Sequence, residues 1–126
     1  MGVSLVRLVY IPPTFSAIGH GETEFNTRKG FSPDGAFHAV LAFDGCALVG
    51  AFRASLENGL LWAGGTWVDK AYRRAGVALC MWKLMLRELE PEAVQVVTIT
   101  RGGKRLVAAL KKKYPRLLWG HENEAT

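Results

Sequence analysis

Apolar and polar positions fall into blocks of differing period. VSLVRLVYI at 3–11 is rich in Val, Leu and Tyr and stops at Pro12-Pro13, which predicts a strand closed by residues that cannot donate to a ladder. From 14 to 34 the pattern dissolves into Gly, Ser, Thr, Asn and charge, predicting a long loop with room for one short helix. Three apolar runs then follow, separated by Asp44-Gly45 and Asn58-Gly59, dipeptides that supply the positive φ angles of tight hairpins. They predict an antiparallel meander over 36–43, 46–56 and 60–69.

The period then changes. Between 76 and 89, Val77, Cys80, Met81, Leu84, Met85 and Leu89 recur at helical spacing, and Pro91 ends the pattern. AVQVVTIT at 93–100 reads as a strand buried on both faces. GGKRLVAALKKKY at 102–114 is a second helix with Leu106, Val107, Leu110 and Tyr114 as its apolar stripe. RLLWG at 116–120 could close with a short strand, before a polar tail at 121–126. The expected fold is therefore α/β with a mixed sheet: a meander, then strand-helix-strand-helix, with one parallel pair between 60–69 and 93–100.

With 126 residues the chain makes one domain spanning 1–126. Its net charge of +5 is uneven: residues 1–69 hold four basic against six acidic residues, and 70–126 hold 12 against five. The second half is the side that attracts an anion, whether nucleic acid, membrane surface or phosphorylated small molecule. Cys46 and Cys80 sit in apolar runs without metal or disulfide spacing and read as buried thiols of a reducing cytosol. The N-terminal apolar run is too short to span a bilayer, so the expected location is the cytoplasm, without membrane or metal.

The stretch VDKAYRRAGVALCMW at 68–82 carries the chemistry. Arg73, Arg74, Ala75, Gly76, Val77 and Ala78 lie between a strand end and a helix start, where unpaired N–H groups and the helix dipole favour negative charge. Gly76 lets the main chain approach a bulky anion, and the arginines add full charges. These are the components of a pyrophosphate cradle.

Val68, Tyr72, Arg73, Gly76 and Ala78 also follow the spacing Val-x-Pro-x-Tyr-Arg-x-x-Gly-x-Gly/Ala, with Lys70 in place of proline. In this, and in the order of elements from about 36 to 114, the chain resembles the GNAT N-acetyltransferase family. The resemblance implies a site for acetyl-CoA, with amides around 74–78 on the pyrophosphate and the main chain at Trp67 and Val68 pairing with the pantetheine arm like an added strand. Gly64-Gly65 would accommodate the bulge at which two strands splay around the thioester. Arg101, Lys104 and Arg105 could also meet the cofactor's phosphates.

The implied reaction is attack of a neutral amine on the thioester, the acceptor being a small molecule, a protein lysine or an N-terminus. The family's tyrosine acid aligns with Lys111, making Tyr114, almost one turn later, the candidate acid. Its usual strand glutamate has no counterpart in 60–68; a water chain is the favoured route for the amine proton, with Glu57, at the far end of the strand, as the candidate side-chain base. His38, His20 and Cys80 read as structural residues. Two alternatives stand beside this reading: a GNAT-fold CoA-binding or protein-interaction module without catalysis, and a basic protein meeting nucleic acid through its 101–116 face. A homodimer is a further expectation.

Overall fold

A computed structural model describes residues 6–13, 37–96 and 101–121. The expected strand residues 3–5 and 97–100, the loop at 14–34 with His20, and most of the polar tail lie outside the described residues.

Among the described residues six strands form one sheet in sequence order: β1 (Val6–Ile11), β2 (His38–Asp44), β3 (Ala47–Glu57), β4 (Leu60–Val68), β5 (Ala93–Val96) and β6 (Leu118–His121). The first four pair antiparallel. Helix α1 (Val77–Leu89) connects β4 to β5, and α2 (Arg101–Lys113) connects β5 to β6. Both connections give parallel neighbours, so the sheet has two parallel pairs where the sequence implied one. The difference is β6, whose four residues align with the whole of described β5.

The hairpins follow turn chemistry. Asn58 and Gly59 have φ of 51° and 81°, the left-handed pair required by a two-residue turn that continues the strand twist. At the other hairpin Asp44 stays in β2, paired with Ala47, and the turn residues are Gly45 (φ 63°) and Cys46. Cys46 is therefore exposed at a hairpin tip and Cys80 is half-buried, against the expectation that both thiols are buried.

The largest described cluster lies on one face of the sheet. Val40, Phe52, Leu61 and Val94, from four adjacent strands, form one cluster with Val77, Met81 and Met85 of α1 and Val107 and Leu110 of α2. Successive crossovers in one direction place both helices on this face. The α1 stripe is rotated from its expected position: Trp82 and Leu86 are buried, whereas Cys80 and Leu84 are half-exposed. β5 alternates, with Val94 and Val96 buried and Ala93 and Gln95 half-exposed, so only one of its faces is dry.

The chain returns to the sheet after each helix by backbone bonds. Glu90 caps α1 in the left-handed region and donates to Leu86 O at 2.9 Å. The Gly59 carbonyl then accepts from Glu92 at 2.8 Å and from Ala93 at 3.3 Å, tying the start of β5 to the β3–β4 hairpin.

Candidate functional site

The expected bulge is present on β4. Phe52 pairs with Thr66 and Ala54 with Ala63, so Gly64 and Gly65 together stand opposite the single residue Arg53. Such an insertion bends the strand and increases its twist. Described pairing with β5 ends at Ala63 and Val96, immediately before the bulge.

Beyond the bulge, Asp69 N–H donates to Val49 O at 2.8 Å, toward β3. Strand alternation then turns the main-chain groups of Trp67 toward β3 as well, and those of Val68 and Thr66 toward the other edge. Val68 O on that edge accepts from Arg73 Nε at 3.0 Å. Among the described residues nothing pairs with Thr66 N–H, Thr66 C=O or Val68 N–H, the groups that an extended ligand could meet. Of the two residues expected to offer their main chain, Val68 turns it to that edge and Trp67 turns it to β3, with its side chain 40% exposed.

Lys70–Tyr72 form one 3-10 turn, and the chain then enters α1 through two left-handed residues, Arg74 (φ 66°) and Gly76 (φ 85°). A non-glycine residue in that region costs about 1–2 kcal/mol, so Arg74 is held there by its surroundings. Alternating hands of backbone make successive N–H groups converge into an anion-binding concavity. Gly76 caps α1 without any side-chain hydrogen bond, and no acidic residue occupies the first turn. The amides of Val77 and Ala78 therefore have no capping side chain, beside the exposed Arg73 and Arg74 and the half-buried Ala75.

The loop is moored at its base by Tyr72, whose hydroxyl donates to Asp44 Oδ2 at the end of β2. That bond, with burial and the charges of Asp44 and Asp69 adding to it, holds the Tyr72 phenol above its ordinary 10.0. Above the loop, the Trp82 indole N–H donates to Thr66 Oγ1 at 3.0 Å. Neither partnership is announced by the sequence, although Tyr72 lies inside the motif.

Other candidates lie elsewhere. Glu57 pairs with Leu60 beside the hairpin, and Leu60 is about 23 Å along the strand from Trp67. Tyr114 follows the last turn of α2, donates its N–H to Leu110 O at 2.8 Å and packs against the core. β6 begins four residues later, opposite Ala93, which pairs with Leu60. Glu57 and Tyr114 therefore share the end of the sheet away from the 73–78 loop. His38 accepts from or donates to the Tyr10 hydroxyl through Nδ1 at 2.6 Å, with the rings stacked at 6.0 Å. Burial lowers its pKa from 6.5. Among the described residues, no three His, Cys, Asp or Glu side chains gather to hold a metal, and no helix is long and apolar enough to cross a membrane.

Known structures share this fold. An acetyltransferase of the GNAT family from Streptococcus pneumoniae is 18% identical, with a TM-score of 0.59 over 86% of this chain and 91% of its own. The fold is the GNAT fold. A Pyrococcus horikoshii protein assigned as an acetyltransferase is 21% identical with a TM-score of 0.59 over 88% of this chain, which spans only 44% of that longer protein. The aminoglycoside acetyltransferase AAC(6')-Iy, solved with a CoA-linked bisubstrate analogue, is 12% identical with a TM-score of 0.52 over 86% of this chain and 88% of its own. No protein-family model matches the chain, and no curated protein does.

Proposed function

We propose that this GNAT-fold protein binds acetyl-CoA and transfers its acetyl group to an amine. One observation carries the reading: the strand edge beyond the β4 bulge runs directly into a left-handed concavity at Arg74 and Gly76, on a helix terminus without a capping side chain. An extended arm ending in a pyrophosphate needs those two surfaces in that order. In this reading Thr66 and Val68 offer edge hydrogen bonds to the arm. The amides of Ala75, Gly76, Val77 and Ala78, with the side chains of Arg73 and Arg74, receive the phosphates.

The chemistry asks little more of the chain. A neutral amine attacks the thioester carbonyl, the carbon–nitrogen bond forms as the carbon–sulfur bond breaks, and the amine proton passes through water to the departing sulfur, so that CoA leaves as its thiol. The edge N–H of Thr66, nearer the bulge, stabilises the developing oxyanion, while that of Val68 meets the arm. Glu57 is too far along the strand to take that proton, and the packed ring of Tyr114 suits a structural role. The acceptor class, small amine, protein lysine or N-terminus, is set by surfaces outside this strand and loop.

A second reading has its own support: β4 bears no carboxylate, and both catalytic candidates lie at the far end of the sheet. A CoA-binding module without turnover fits that equally. Thiol release from acetyl-CoA, measured against a panel of primary amines and a cell lysate, separates the two. Acceptor-dependent release is expected of the enzyme; saturable CoA binding with no release under any acceptor leaves the module.

A further inference from the structure

We propose that Trp82 is a positioning residue that locks the register of β4 beyond its bulge, and so decides which main-chain groups the strand presents to the CoA arm. The inference rests on the acetyl-CoA reading above and deepens it.

A strand that has just passed a two-glycine bulge is poorly specified. Gly64 and Gly65 contribute no side chains to hold it, and the extra residue makes a one-residue slip a near alternative. The consequence of a slip is large, because alternation would turn the main chain of Trp67 to the open edge and withdraw that of Thr66 and Val68. Something must therefore identify Thr66 as the residue opposite Phe52.

Three contacts do so together. Phe52 is the cross-strand partner of Thr66, and it is fully buried. Its ring stacks on Trp82 at 4.4 Å and 18°, while a further tryptophan, Trp119 of β6, lies 6.1 Å from Trp82 at 28°. The indole of Trp82, 2% exposed, is thus oriented by rings from two strands, and its single donor points to Thr66 Oγ1 at 3.0 Å. A hydrogen bond between Trp82 and Thr66, with Phe52 in contact with both, closes a triangle that only one register satisfies. Slipping β4 by one residue would place Gly65 or Trp67 opposite Phe52 and leave a buried indole N–H without an acceptor, which is costly.

The test uses the full chain, with Trp82→Phe, Thr66→Val, their combination and Thr66→Ser, titrated with CoA by calorimetry and followed by amide exchange at Trp67. Losing one hydrogen bond on this account weakens CoA binding about tenfold in either single variant. The double variant should be no weaker than the weaker single one, and Thr66→Ser, which keeps the acceptor, should restore wild-type affinity. Trp67, whose N–H faces β3, should exchange faster wherever affinity falls. Wild-type affinity and unchanged Trp67 exchange in Thr66→Val would overturn the lock while leaving the CoA reading intact. Absence of CoA binding by the wild type would overturn both. Thr66→Val decides the matter even where Trp82→Phe fails to fold.

Discussion

Gly76 is the residue on which the site turns. At φ 85° a side chain is strained. Gly76→Ala should cost about 1–2 kcal/mol of stability, read by urea denaturation, and weaken CoA binding as well. That a glycine opens the helix was legible in the sequence, and its positive φ is what the structure adds. Arg74, which adopts the same hand without being glycine, carried no such signal. The Tyr10–His38 pair was equally silent, since two polar residues 28 positions apart become neighbours only through strand register. It has a pH consequence. Burial depresses the folded pKa of His38 below 6.5, so its contribution to stability is fully present above about pH 6.5 and is lost as pH falls through the folded value. Between about pH 7.5 and about pH 5.5 the melting temperature should drop more in the wild type than in His38→Gln.

Helix α1 and strand β3 show how far periodicity reads and where it stops. The apolar pattern placed α1 within one residue of its observed start, because Gly76 and Pro91 bracket it. It missed the rotation that buries Trp82 and Leu86, since an apolar arc this wide leaves the contact face to be chosen by the sheet. Alternation likewise found β3 but not the reason for Gly50. A Cβ there would lie 3.2 Å from Met81 Cε and 3.3 Å from Ala42 Cβ, so the glycine is what lets α1 sit close to the sheet. Gly50→Val should destabilise by about 1–3 kcal/mol, lowering the urea midpoint without changing the slope. The bulge was legible for a related reason, because paired glycines in a strand have few other uses. That Val68 rather than Trp67 turns its main chain outward was not, because it depends on the bond from Asp69 to Val49.

Across the molecule, charge and topology divide the labour. The first crossover brings the 73–78 loop to one end of the sheet, while the β3–β4 hairpin holds Glu57, and α2 carries Tyr114 and Lys111 to Lys113, toward the other. Sequence distance hid this separation: Tyr114 follows 13 helical residues, and a helix of that length spans about 20 Å. Screening over a Debye length of about 8 Å isolates the lysines from the loop. Replacing Lys111, Lys112 and Lys113 with Gln should therefore leave the CoA dissociation constant within about twofold of wild type. If this face bound nucleic acid, the same variant would reduce an affinity that falls steeply with salt, a separation that filter binding over a salt series resolves. The central claim is that the junction of β4 and α1 holds the acyl donor. Calorimetric titration of the wild type and Gly76→Glu with acetyl-CoA tests it most directly, with circular dichroism to verify that both are folded. Saturable one-to-one binding by the wild type, abolished in the folded variant, is the expected result; no binding heat from the folded wild type would contradict the account.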